Sequence, residues 1–191
     1  DARAAIARLA CRFFEEPSEK LILIGVTGTN GKTTTTFLIE SMLKYAGFKP
    51  GVIGTINYRY MDNIIDAPHT TPEAPDLQKI LKDMVDNGAT HCIMEVSSHS
   101  LEQKRVDGCA FRAGVFTNLT QDHLDYHGTM EEYFKSKARL FEEFLPQVEN
   151  SFAVVNIDDE WGRLLRVKES KSQRVKESKV KIIEYSLDAE A

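Results

Sequence analysis

The sequence predicts an α/β fold in which a mostly parallel sheet carries helices on both faces. Three observations lead there. Apolar runs of strand length, LILIGV, VIGTI, HCIMEV, AGVFTN and FAVVNI, alternate with segments of helical periodicity. Such alternation marks strand–helix–strand units. The first run opens directly into a glycine-rich turn, GVTGTNGKTTTT, Gly25 to Thr36. The chain has 191 residues, 42% of them hydrophobic, which suits one ordinary domain or one with an appendage.

The elements follow in order. Residues 1–20 read as a short helix on the spacing of Ile6, Leu9, Ala10, Phe13 and Phe14, ended by Pro17. They form a leading helix or linker from a preceding domain, and 21–191 form the main domain. LILIGV is a buried strand, and Thr33 to Ala46 is a helix closed by Gly47. VIGTI (Val52–Ile56) is a second strand. Leu77, Ile80, Leu81, Met84 and Val85 recur at helical spacing, and Gly88 stops that helix. HCIMEV (His91–Val96) and AGVFTN (Ala113–Asn118) are strands. Met130 to Leu145 is a helix stopped by Pro146, and FAVVNI (Phe152–Ile157) is a further strand. RVKESK at 166–171 returns at 174–179. The charged stretch 166–180 reads as a solvated local duplication. Ligands of such sheets sit at the carboxyl ends of the strands.

Composition narrows the classes. A net charge of −5 argues against a duplex nucleic-acid binder. Three cysteines, Cys11, Cys92 and Cys109, are widely spaced with no CxxC pair. That suggests neither a structural zinc site nor a disulfide framework, and it favours a reducing, cytoplasmic compartment. No apolar run is long enough to span a membrane, and no signal peptide is visible. The first residue is Asp1, as expected of a piece of a longer chain.

A strand, a glycine-rich turn, a lysine and a threonine at a helix start are the parts of a phosphate-binding loop. Glycines let backbone N–H groups turn inward onto phosphate oxygens, and the helix N-terminus adds positive potential. Lys32 can reach the β- and γ-phosphates, and Thr33 can offer its hydroxyl to Mg²⁺. The strict pattern G-x-x-x-x-G-K-[ST] is not met, because Val26 stands where its first glycine belongs.

TGTNGKTTT resembles the loop of the Mur ligase family, whose ATP-binding domain carries this variant. Cyanophycin synthetase and folylpolyglutamate synthase have similar loops. Three further segments resemble the central domain of the branch that adds the third residue of the peptidoglycan stem peptide: HTTPEAPDLQ (His69–Gln78), MEVSSHSLEQKRV (Met94–Val106) and FTNLTQDHLDYHGTMEEYFKSKARLF (Phe116–Phe141). The resemblance runs from about residue 1 to the end of the chain and implies a P-loop-type ATPase domain. It implies ATP, bound by Gly28, Thr29, Asn30, Gly31, Lys32, Thr33 and Thr34, and Mg²⁺. The substrates it implies are UDP-MurNAc-L-Ala-D-Glu and a diamino acid, meso-diaminopimelate or L-lysine, joined through an acyl phosphate by a cytoplasmic monomer. It also implies a uridine-binding domain before residue 1 and an amino-acid-selecting domain after residue 191, so that this chain is a truncated central domain. The rival readings are a folylpolyglutamate or cyanophycin synthetase-like ligase, against which HTTPE and MEVSSHSL speak, and a non-catalytic nucleotide-binding module.

Individual residues carry two readings each. Glu95 ends a strand among apolar neighbours, where burial without a partner would cost several kcal/mol. The resemblance makes it a magnesium ligand. His123, in a loop after a strand, reads alone as structural or exposed. The resemblance makes it a magnesium ligand and leaves Asp122, Asp125 and His127 unassigned, with Asp125 a candidate helix cap. Lys135 and Lys137 read alone as exposed helix lysines. The resemblance, aligned without a gap from Tyr133, selects Lys137 and implies that CO₂ carbamylates it to an anion near the metals. Arg105 is a suitable fork for a carboxylate. Thr70, Thr71, Ser97, Gln103 and Arg105 are implied substrate contacts. Their plain alternatives are a turn before Pro72 and a solvated loop.

Overall fold

The computed structural model describes residues 1–165 and 180–187. Both RVKESK copies, 166–171 and 174–179, lie outside the described residues. Among the described residues eight strands form one sheet: β1 (Ile22–Thr27), β2 (Pro50–Ile53), β3 (Asn57–Tyr60), β4 (Asn63–Asp66), β5 (His91–Glu95), β6 (Phe111–Phe116), β7 (Phe152–Asn156) and β8 (Lys181–Tyr185). Their order is β4-β3-β2-β5-β1-β6-β7-β8. The pairings β2–β5, β5–β1, β1–β6, β6–β7 and β7–β8 are parallel, and β2–β3 and β3–β4 are antiparallel. The expected mostly parallel α/β sheet is therefore present.

Period-two alternation along the central strands feeds two apolar layers. In β5, Cys92 and Met94 join a large cluster and Ile93 a small one. The small cluster is Val26, Val52, Ile93 and Val115 under Ile39 and Leu43 of α2 (Lys32–Tyr45). The large one gathers Leu77, Leu81 and Met84 of α3 (Ala74–Asp86), Leu101 of α4 (Ser98–Glu102) and Tyr133, Phe134 and Ala138 of α6 (Met130–Arg139). Full burial of each such Leu or Met contributes about 1.5–3 kcal/mol. A leading helix α1 (Ala2–Phe13) is tied to the body through Cys11, whose thiol donates to the Gly108 carbonyl at 3.2 Å. A one-turn helix α5 (Leu124–His127) precedes α6. Among the described residues no helix is long and apolar enough to cross a membrane.

The differences from the sequence reading have local causes. VIGTI leaves the sheet after Ile53, because Gly54 and Thr55 turn toward the Glu95 carboxylate. The hairpin β3–β4 has no counterpart in the sequence reading, although Tyr58 and Tyr60 alternate into the core. The helix expected over 130–145 is α-helical only to Arg139. A π-helical turn, Leu140–Phe144, and a 3₁₀ turn, Leu145–Gln147, complete it. Asp125 does not cap α6, since Thr129 does so, its hydroxyl accepting from the Glu132 N–H at 3.2 Å.

Candidate active site

β1 delivers the glycine-rich loop to the carboxyl edge of the sheet. Gly28 has φ +143°, and a Cβ there would stand 1.9 Å from the Thr117 hydroxyl, so only glycine fits. The segment after β6 laces the loop in place. The Thr29 N–H donates to the Asn118 carbonyl and the Asn30 N–H to its side-chain oxygen, both at 2.9 Å. Thr117 Oγ1 donates to the Asn30 carbonyl at 2.7 Å. Gly31, with φ +84°, starts α2 and brings no side-chain cap. The N–H groups of the first turn, which includes the exposed Thr34, are thus available to an anion. Val26 replaces the glycine of the strict pattern because β1 runs on through it, fully buried in the small cluster.

Two lysines meet on one loop carbonyl. Lys32 Nζ donates to the carbonyls of Gly28 at 3.0 Å and Thr29 at 2.8 Å. Lys137 Nζ, from α6, donates to the same Gly28 carbonyl at 2.9 Å and lies 4.6 Å from the centroid of the Tyr133 ring. Lys137 is only 1% exposed. Burial first, and the Lys32 charge second, hold its pKa well below the ordinary lysine value, with Asp122 opposing. Burial also lowers Lys32, against the pull of Glu95 and Asp122. The expectation that Lys137 is an exposed lysine on its own sequence is corrected. Lys135 is the exposed one, paired with Glu132 at 2.5 Å.

Glu95, at the end of β5, is 1% exposed. Its carboxylate accepts from the Thr33 hydroxyl at 2.9 Å, the Thr55 N–H at 3.1 Å and the Thr55 hydroxyl at 3.0 Å. Gly54 leaves room for it, since a Cβ there would fall 2.4 Å from Oε1. The carboxylate therefore touches Thr33 of the loop and Thr55 together, and Thr55 shares a 3.1 Å hydroxyl contact with Thr70. Thr71 Oγ1 donates to the Glu95 carbonyl at 2.8 Å and accepts from the Ser97 N–H at 3.2 Å. Ser97 caps α4, accepting from the Ser100 N–H at 3.1 Å. Arg105 donates to the Thr71 carbonyl at 3.0 Å and to Gln103 Oε1 at 3.0 and 2.6 Å, and it pairs with Glu73 at 2.9 Å. All five expected substrate residues thus share one patch joined to Glu95.

His123 stands apart from that patch. It is exposed, starts α5 at φ +52° and has Asp122 at 3.4 Å. Its ring lies 4.9 Å from that of His99 and 6.0 Å from that of Tyr133. Among the described residues no three His, Cys, Asp or Glu side chains form a metal cage. The donor set is instead a hydroxyl beside a carboxylate, Thr33 and Glu95, at the start of a helix. That suits Mg²⁺, which takes one or two protein oxygens and completes its shell with phosphate and water. The sequence reading missed Thr55, whose approach to Glu95 depends on a 40-residue separation and leaves no local signal. It also missed Tyr133, whose hydroxyl meets Thr29 Oγ1 at 3.3 Å.

Known proteins are similar to this chain in sequence and in fold. Residues 26–191 match the family model described as the Mur ligase middle domain. The chain is 55% identical over 168 residues to the UDP-N-acetylmuramoyl-L-alanyl-D-glutamate–2,6-diaminopimelate ligase of Geobacter metallireducens, covering 86% of this chain and 33% of that protein. It is 47% identical to the ligase of the same name from Geobacter sulfurreducens, over all of this chain and 36% of that protein. A solved structure of a ligase of that name superposes with a TM-score of 0.78 at 38% identity, covering 95% of this chain and 37% of the other. Mycobacterium tuberculosis folylpolyglutamate synthase, at 12% identity and a TM-score of 0.69 over 95% of this chain and 46% of its own, shares the fold alone. The chain spans about a third of the length of the relatives it matches.

Proposed function

The chain belongs to the Mur ligase family as its middle domain, and from that premise we propose that it is the ATP-dependent activating domain of a peptidoglycan ligase. The reaction joins 2,6-diaminopimelate to UDP-MurNAc-L-Ala-D-Glu. A substrate carboxylate oxygen attacks the γ-phosphorus of ATP, giving an acyl phosphate and ADP. The amine of the diamino acid then attacks the acyl carbon, forming the amide and releasing phosphate. Little covalent chemistry falls to the protein, so its part is positioning and charge stabilisation.

Lys32 leaves the Gly28 and Thr29 carbonyls and moves to the phosphates, where the N–H groups of the α2 start also point. Thr33 and Glu95, already in contact, would hold Mg²⁺ together with His123. When bound there, Mg²⁺ neutralises charge developing on the transferred phosphoryl oxygens. Arg105, Gln103, Ser97, Thr70 and Thr71 orient the dipeptide end of the substrate. Residues 1–20 act as the linker and 21–191 as the ATP-binding unit, with uridine binding and amino-acid selection supplied by other parts of the parent protein.

The observation that carries this reading is the buried amine of Lys137 at the loop carbonyl, its pKa held well below the ordinary lysine value by burial. An uncharged amine is the form that adds to CO₂, and Lys32 stands beside it as counter-charge for the carbamate that results. The test is phosphate release by the full-length protein containing this chain, with Mg²⁺, bicarbonate and ATP. Release that requires both UDP-MurNAc-L-Ala-D-Glu and 2,6-diaminopimelate is expected. Release driven instead by a folate and glutamate would overturn the reading.

A further inference from the structure

A chain of side chains outside the loop joins three helices. His127, the last residue of α5, has Nε2 2.9 Å from Ser98 Oγ and Nδ1 3.5 Å from Ser136 Oγ. Ser136 Oγ in turn donates to Glu102 Oε2 at 3.0 Å. The directions are fixed from the carboxylate end, because an ionised carboxylate only accepts. The Ser136 hydroxyl spends its proton on Glu102, so it accepts from Nδ1–H. Nε2 is then bare and accepts the Ser98 hydroxyl proton. One tautomer of neutral His127 satisfies every partner.

Serine, histidine and acid in sequence invite a nucleophilic reading. Ser98 is 1% exposed, so no substrate reaches its oxygen, and that reading fails on access. The chain's ends point to another role. Ser98 follows Ser97, which caps α4, and the Glu95–Ser98 turn is pinned on its other side by Thr71. Ser136 precedes Lys137 on α6. Tyr126, beside His127, accepts from Gln103 Nε2 at 3.3 Å, and Gln103 holds Arg105. The His127 and Tyr133 rings lie 5.0 Å apart, and the face of Tyr133 carries the Lys137 amine.

We propose that His127 is a positioning residue that locks the Glu95–Ser98 turn to helix α6 through Ser98, Ser136 and Glu102. It thereby fixes the substrate-side patch relative to the Lys137 amine. This deepens the proposed function and rests on it for its catalytic consequence. A misplacement near 1 Å between reacting groups costs about 100-fold in rate.

The experiment uses the full-length protein. For His127→Ala, kcat for dipeptide-dependent phosphate release falls about 10- to 100-fold, with the Kd for ATP changed less than about threefold. Ser136→Ala, which removes one hydroxyl and spares the fold, gives a smaller loss in the same sense. His127→Ala combined with Ser98→Ala is far from additive, as expected of partners in one chain. Separately, ¹⁵N spectra of histidine-labelled protein show His127 as the Nδ1–H tautomer and show its Nε2 signal moving in Ser98→Ala. An unchanged kcat in His127→Ala, additive losses, or an Nε2–H tautomer overturns the proposal. If the wild-type protein does not ligate the dipeptide substrate, the function proposed above fails, and the ring spectra alone decide whether the lock exists.

Discussion

Glu95 and Lys137 flank the same loop, each 1% exposed, and the protein surrounds them in opposite ways. Glu95 ends β5 inside a nest of three donors, two from Thr55 and one from Thr33. Lys137 has one backbone carbonyl, shared with a second lysine, and an aromatic face. Burial beside a like charge disfavours an ammonium, and it holds the Lys137 pKa well below the ordinary lysine value. The carboxylate is thus met by three donors and the amine by one carbonyl acceptor. The proposed site, with Mg²⁺ and a carbamate, would draw on both surroundings at one loop.

The largest expected effect breaks the site at its shared carbonyl. Gly28→Ala puts a methyl group into Thr117 at a φ that alanine does not adopt, and ATP binding by titration calorimetry is expected to vanish. Lys32→Ala removes the proposed phosphate contact. Dipeptide-dependent phosphate release should fall at least about 100-fold, the scale for loss of one charge-stabilising group.

Lys137→Met separates the two halves of the comparison. Activity is expected to be lost, yet stability rises, because methionine fills the space without burying an amine. Thermal melts in CO₂-free buffer should show a Tm gain of at least about 3 °C, near what 1 kcal/mol makes in a domain of this size. The sign with pH follows from the lowered folded value. Between that value and the ordinary 10.5, the unfolded chain binds more protons at this position than the folded one. The native lysine's penalty is therefore full below its folded pKa and fades as pH approaches 10.5. The advantage of Lys137→Met should shrink along the same course. A gain constant with pH would mean that the amine is not destabilised by its charge.

Glu95→Ala strands the hydroxyl and N–H donors now turned to the carboxylate. It is expected to cost about 1–3 kcal/mol, read from the urea midpoint. Thr55→Val removes one donor and should cost about 1 kcal/mol, the smallest effect of the set. If Thr55→Val costs as much as Glu95→Ala, the nest acts through packing and not through its hydrogen bonds.

The sequence made the sheet and the loop legible because both are local. Val26, Ile93 and Val115 lie in apolar runs of strand length, and the Gly–Lys–Thr order sits where a strand meets a helix. Lys137 was readable in principle. It lies four residues from Tyr133 and four from Phe141, both fully buried, so helical periodicity alone sets it on the apolar face. The rule that lysines are solvated hid this, and only the family resemblance singled Lys137 out. Thr55 had no such signal. Its role arises because β2 and β5 are neighbours in the sheet, a long-range pairing that no window of sequence contains. His123 was assigned by resemblance alone, and its exposed position beside Asp122 keeps its metal role a proposal.

The most direct measurement is the uptake of ¹³C-labelled CO₂ by Lys137 in the full-length protein, followed by carbon NMR beside dipeptide-dependent phosphate release. A carbamate resonance that is absent in Lys137→Met, and that rises and falls with phosphate release as bicarbonate is added and removed, is the expected result. Full ligation of 2,6-diaminopimelate by protein in which Lys137 carries no carbamate would contradict it.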